Sequence, residues 1–558
     1  MSVFGLQFSM KKNCKLKTVN SKLIKMKFKY IIVALLLATS GTMQSCSDFL
    51  QKDPLGQDTD VTYYQDANNA ILAVNAAYDV LGYDEGNDGL GNYVNHNYEW
   101  MFGDVLSEDA EKGSTPGDMP PLQELKEWRA NGSNTIAQAV WQNMFQGVYR
   151  ANLVIQNLAN SPIEEALKNR LLGEAYFIRG YCYFYMLRLY GGLPLFDKPV
   201  ETSQYSTSKR ATLGETYGFI EADFKRALDL LPEKNGYDAA DAGRATKGAA
   251  RGYLARAIMY QLGTDNTNNH TWQQVYDYAD AIVKSGQYSL TTNYAAIQEE
   301  ESENNAESIF EIQFAESNVG WGIQRVGTEN NIIQNNRNTW GWGFNNPTQS
   351  LVDAFEANDP RKNITVYKTG DIVTGLLQVI NYPSENSTGY LNRKAAIVKP
   401  TTPSQSPQNI RKMRYADVLL MKAEAAAHLG MESEARTILN QIRTRARQST
   451  LGKGSVLNTM TYEPANTPAS ALPAIGASVS GTALLNAIYH ERRVELGMES
   501  LHFWDQVRTG TYMSSLPTSV RASAMSHSIQ GSVNPIPVLP IPLNEVQSWG
   551  LQQNPGYN

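Results

Sequence analysis

The stretch RYADVLLMKAEAAAHLGMESEARTILNQIRTRAR, residues 414–447, constrains the fold more than any other part of the chain. Apolar residues recur at helical spacing on either side of a Leu-Gly pair, so it reads as two helices joined by a tight turn. Ala423 and Ala435 place small side chains where the two helices must approach closely. A two-helix unit of this size cannot bury its apolar face alone and has to stack on similar neighbours. TYGFIEADFKRALDLLP, ATKGAARGYLARAIMYQLG and TWQQVYDYADAIVKSG each supply one more helix. AVWQNMFQGVYRANLVIQNLAN is amphipathic, whereas LLGEAYFIRGYCYFYMLRLYGG is apolar almost all round and reads as a helix buried on most sides, with Cys182 an inert thiol inside it.

The length and alanine spacing suit a tetratricopeptide-type repeat. The repeats are degenerate and interrupted. The expected fold is mostly α, an interrupted tetratricopeptide-like helical-repeat scaffold with long loop-rich excursions and little β. The scaffold is expected at about 65–290, 411–449 and 482–510, and loop-rich insertions at about 83–133, 291–410, 450–481 and 511–558. SIFEIQF, inside the longest insertion, reads as a short strand. Together these make residues 46–558 one domain, opening on a polar linker, 46–60.

The N-terminal region has a different logic. KFKYIIVALLLATSGTMQSCSDFLQKDP runs from basic to apolar to a lone cysteine and then turns polar. Its apolar run is too short to cross ~30 Å of hydrocarbon as a permanent helix and reads as a signal peptide, residues 26–45. A thiol directly after the small Ser45 is the arrangement of a bacterial lipoprotein, in which Cys46 carries the lipid anchor; an ordinary signal with an incidental cysteine is the alternative. Residues 1–25 serve no signal and read as an extension ahead of a start at Met26, which leaves Cys14 outside the protein proper. With Cys46 lipidated, Cys182 has no disulfide partner, and the core alone must hold the fold.

Catalytic signatures are sparse. No G-x-S-x-G, H-E-x-x-H, Walker A or paired C-x-x-C is present, and the six histidines are scattered. DEGNDG from Asp84 resembles a calcium loop, but Gly86 stands where a second acidic ligand belongs and Asn95 where the closing glutamate does, so no cofactor is expected beyond a weak loop calcium. Asp104, Glu108 and Asp109 could supply a glycosidase carboxylate pair by spacing, but acids in such a segment also cap helices and hold turns. The net charge of −6 without a basic block argues against nucleic acid as a partner. The 30 tyrosines and 9 tryptophans exceed what a core needs and suggest rings facing a ligand.

Six segments, in order, resemble the SusD/RagB outer-membrane lipoproteins of Bacteroidetes: CSDFLQKDP, YYQDANNAILAVNAAYDVL, GEAYFIRGYCYFYMLRLYGGLPL, KMRYADVLLMKAEAAAHLG with ILNQIRTRAR, ERRVELGMESLHFWDQVRTG and LPIPLNEVQSWGLQQNPGYN. The resemblance implies a non-enzymatic, cell-surface, lipid-anchored protein of a polysaccharide utilisation system. Such a protein binds a glycan and delivers it to a SusC-like TonB-dependent transporter in the outer membrane. The RagB branch implies the alternative, a peptide-binding uptake lipoprotein. By region, the resemblance places the ligand site on the segment after the first helix and on the central excursion. There Tyr83, Asn95, Tyr98, Trp100, Trp321 and Trp340 are the expected ligand-binding residues, forming a flat aromatic platform, with Trp342 assigned to the framework. In ERRVELGMESLHFWDQVRTG the charged face reads as structural, with Phe503 and Trp504 as core anchors.

Overall fold

The computed structural model describes residues 60–82, 98–205, 207–316, 327–335, 337, 341–373, 378–379, 388–396, 406–449, 451–456, 459–463, 467–530 and 533–557. The chain divides into two units, Met1–Thr62 and Tyr63–Asn558. Of the first, residues 60–62 are described, as part of the short helix Asp60–Tyr63. The expected signal peptide, the anchor Cys46 and the loop at Asp84 lie outside the described residues.

The second unit is an array of helices, each started by a local device. The Asp66 carboxylate accepts the Asn69 N–H at 3.0 Å and starts α1 (Ala67–Asp79). Asn134 does the same for α2 (Thr135–Leu158), and a Thr212/Glu215 capping box opens α4 (Leu213–Leu230). Between them runs α3 (Glu165–Tyr190), buried on nearly every residue from Gly173 onward, as its all-round apolar sequence requires. The Sγ of Cys182 lies 2.7 Å from where a Cβ on Gly147 would stand, so α2 and α3 meet where only glycine fits. The array continues through α5 (Lys247–Thr264) and α6 (Trp272–Lys284).

The next helix to pack on α6 is α7 (Tyr415–His428), beyond the whole central excursion; α7 then pairs with α8 (Glu432–Gln448) as the repeat pattern predicts. Then α9 (Gly481–Glu495) packs on α7, and α10 (His502–Thr509) on α5. Among the described residues, the strands form two-stranded antiparallel pairs only. Two matter below: β1 (Ala110–Gly113) with β3 (Phe344–Pro347), and β2 (Ser308–Ile312) with β4 (Ile410–Arg414). The interrupted helical array is therefore the fold, and Phe503 and Trp504 are buried in it as core.

Two regions read as loop are more ordered than expected. Within 83–133, the run Trp100–Leu106 is buried, and the helices Trp100–Gly103 and Pro120–Lys126 flank β1. Within 511–558, Thr518–Ser526 and Leu543–Trp549 are helical. Such helices are too short for a periodic pattern to show, and tertiary contacts form them.

Candidate functional site

The described ends of the loop-rich segments converge. Gly82, before 83–97, stands against the Phe314 ring: a Cβ there would lie 3.1 Å from Phe314 Cε1. Phe314 in turn donates its N–H to Asn409 Oδ1 at 2.8 Å, just after 397–405. Thr328 and Ser406 form a two-way β-bridge. On the far side of 336–340, Trp342 and Gly343 donate back to the Ile332 and Asn335 carbonyls. The described residues that flank these four segments thus meet at one base formed by the β2/β4 pair and the Asn330–Gln334 turn.

Amide side chains knit that base together. Gln334 Oε1 accepts from Asn345 Nδ2 at 2.8 Å and Asn392 Nδ2 at 2.9 Å, and Asn331 Nδ2 donates to Gln408 Oε1 at 3.0 Å. Asn331, Gln334 and Asn392 line a polar cavity of about 60 Å³ together with Glu99, Trp100, Lys394 and Glu499. That is room for roughly two waters rather than a sugar ring, so the cavity is a floor. A cleft of about 330 Å³ opens beside it, lined by Asn75, Asp79, Gly82, Arg244, Gln313 and Phe314. Its size falls within the range of small-molecule sites, roughly 300–1,000 Å³.

Of the expected ligand residues, Tyr83, Asn95, Trp321 and Trp340 lie outside the described residues. Tyr98 and Trp100 are each 3% exposed, stacked on one another with centroids 6.0 Å apart, and Trp100 leans on Phe344. Both are therefore buried rather than part of an open platform, with Trp100 in the wall of the floor and against Phe344 of β3. The Trp100 indole N–H has no hydrogen-bond partner among the described residues. Trp342, assigned to the framework from sequence, is instead 42% exposed, with the Arg337 guanidinium 5.9 Å from its ring. Phe314, read from sequence only as a strand residue, lines the cleft of about 330 Å³.

The three spaced carboxylates are taken up by the scaffold. Asp104 accepts from Asn345 Nδ2 at 3.0 Å and the Ser500 N–H at 2.9 Å, and burial pushes its carboxyl up to about 7. For Glu108, burial opposes ionisation, but the His502 hydrogen bond and the His502 and Arg493 charges bring it down to about 2. Asp109 receives Arg493 Nη2 at 2.6 Å. Glu108, Asp109 and His502 bring ligand atoms within 4.8 Å of one another, a spacing a metal could use. Arg493, within 3.5 Å of both carboxylates, already supplies the positive charge.

Behind the floor lies a buried ionic network. Glu495 and Glu307, 0–1% exposed at the side chain, are bridged by Arg414 and Arg445, and Arg361 ties Glu495 to Glu491 and Asp359. Lys394 joins through Glu499 at 2.6 Å, carrying the network to the cavity wall. Burial works against the charged form of Glu495, yet three arginines hold its carboxyl well below the usual range. The charged face of ERRVELGMES is thus structural, as read from sequence.

Comparison with known proteins agrees with this architecture. Residues 306–557 match the profile described as SusD family, and residues 88–259 the profile described as starch-binding associating with outer membrane. A SusD-like protein of Formosa agariphila is 26% identical over 520 residues, covering 87% of this chain and 92% of its own. Among solved structures, a laminarin binding SusD-like protein aligns with a TM-score of 0.68 at 25% identity, over 88% of this chain and 99% of that one. Surface glycan-binding protein A from Bacteroides thetaiotaomicron aligns with the same TM-score at 23% identity, over 88% and 100% of the two chains. With two profiles, one described as SusD family, covering most of the body and the interrupted repeat array underneath, the chain is SusD-like in sequence and fold.

Proposed function

We propose that this protein is a non-catalytic, cell-surface glycan receptor, anchored through Cys46 to the outer membrane, that hands oligosaccharide to a SusC-like TonB-dependent transporter. One observation carries the reading: the described residues that flank the three segments bearing Tyr83 and Asn95, Trp321, and Trp340 meet at a single amide-lined floor beside a cleft of about 330 Å³. Trp342 and Phe314 add rings for the apolar face of a sugar, and the surrounding amides and Arg244 offer partners for its hydroxyls. The laminarin binding named for a relative at 25% identity makes a β-glucan the first ligand to try.

The test is calorimetric titration of the chain beginning at Ser47 with oligosaccharides of laminarin and of other plant, microbial and mucin glycans. Binding to one class, weakened roughly tenfold by Trp321→Ala or Trp342→Ala, is the expected result. Silence across the panel with retention of peptides would replace this reading by the RagB-type one. For the anchor, Cys46→Ser in the full chain should release the protein from the membrane fraction.

A further inference from the structure

A second aromatic cleft lies away from the floor and shares no residue with it. It has a volume of about 280 Å³ and sits between the outer face of α2, the short helix Thr202–Tyr205 and the late helix Leu543–Trp549. Tyr205 and Trp549 stack face to face, 4.6 Å apart and 6° from parallel. Phe145 meets the Trp549 ring edge-on at 5.9 Å. From α2, Gln142, Phe145, Gln146 and Tyr149 fall on one side by their spacing of three and four, and Tyr149 is left 42% exposed.

The rim is polar. The half-buried Glu545 carboxyl has neither a hydrogen-bond nor an ion-pair partner among the described residues, and burial alone raises its pKa. The Gln146 amide is likewise without a partner there, and Lys198 stands at the mouth. A purely apolar occupant would leave Glu545 unsatisfied, and a small polar one would leave the rings wet. An anion meets the Glu545 carboxylate, and a cation meets Lys198. What fits is a neutral ring with one apolar C–H face and an edge of hydroxyls.

We infer that this cleft is a second carbohydrate site, taking a neutral, all-equatorial pyranose such as a β-glucoside. The sugar stacks on the rings around Tyr149 and Trp549, and its hydroxyls donate to Glu545 and accept from Gln146. It is a separate site from the one proposed above and does not depend on it.

The experiment uses saturation-transfer NMR with methyl β-D-glucopyranoside on the chain beginning at Ser47 carrying Trp321→Ala and Trp342→Ala, so that the first site is disabled. Expected is transfer to the sugar C–H protons that falls roughly two- to tenfold on adding Tyr149→Ala, and also falls with Gln146→Ala. Both added changes are at exposed positions, which leaves the fold intact. Absence of transfer, or transfer indifferent to both substitutions, overturns the site. Stronger transfer to choline than to the glucoside overturns its assignment to sugar. Failure of the first proposal shows separately, as no effect of Trp321→Ala or Trp342→Ala in the titration above.

Discussion

The guanidinium of Arg414 reaches Glu495 twice: Nη1 donates to the carboxylate at 2.8 Å and Nη2 to the backbone carbonyl at 2.7 Å. With Arg361 and Arg445 on the same carboxylate, Glu495 is the hub of the buried charges. Glu495→Gln should cost about 3–5 kcal/mol, because three guanidinium groups then face a neutral amide in a site that excludes water. Urea denaturation should show the midpoint falling with little change in slope. A loss under about 1 kcal/mol would contradict the hub.

The buried carboxylates of this network, and of a separate cluster of Asp417 with Arg256 and Arg492, set an acid limit. Glu495, Glu307 and Asp417 are held below their unfolded values, the last to about 2 by Arg256 and Arg492 against the opposing effect of burial. Depressed carboxylates contribute stability that is present above about pH 4 and lost as pH falls through the folded values. The contribution of these carboxylates to the thermal midpoint should be constant from about pH 7 to 5 and be lost steeply below about pH 4. A flat midpoint down to about pH 3 would show these buried carboxylates to be energetically idle.

Asp104 works in the opposite direction. Its folded value near 7 lies above the unfolded 3.8, so the folded state holds the proton more tightly across that window and stability from this group falls as pH rises. Asp104→Asn should remove this slope: the difference in midpoint between about pH 5 and pH 8 becomes smaller than in the wild type. An unchanged difference would mean that the carboxyl is already ionised at pH 5.

Gly103 has no space for a side chain. A Cβ there would lie 1.9 Å from the Ser500 carbonyl oxygen, on the turn where Met498 and Ser500 both hold positive φ and line the polar cavity. Gly103→Ala must displace backbone, so both the thermal midpoint and glycan binding should fall. Retention of both would show that the turn can move freely.

Much of the scaffold was legible in the sequence. The periodicity of residues 414–447 marks α7 and α8, and the uninterrupted apolar run around Cys182 marks a fully buried helix. The ionic hub was half legible. Glu491 and Glu495, one turn apart, announce a charged face, but the choice of Arg361, Arg414 and Arg445 as partners depends on how distant segments pack, and no local pattern encodes that. Trp100 and Trp342 show the same limit at the site. Both sit in Gly- and Asn-rich surroundings, and contacts between distant segments, Trp100 against Phe344 among them, bury the first while the second stays out.

Cys182 supplies a direct reading of integrity. Burial raises its thiol well above the ordinary range, and the chain from Ser47 carries no other cysteine. It should resist a thiol reagent until denaturant is added and then react once per chain. Reaction under native conditions would place α2 and α3 further apart than Gly147 allows.

The position of Glu495 along the chain has a further consequence. A polypeptide emerges from its N-terminus, so Arg361, Arg414 and Arg445 are all made before the carboxylate they share. Until α9 arrives, Glu307 and the β2/β4 pairing tie the central excursion to the repeat pair, but the carboxylate that joins all three arginines is missing. The protein therefore closes late, like an arch awaiting its keystone. A fragment ending short of that helix lacks the Glu491 and Glu495 carboxylates and leaves Arg361, Arg414 and Arg445 without the acid they share, so it should be cut by proteases faster than the whole chain.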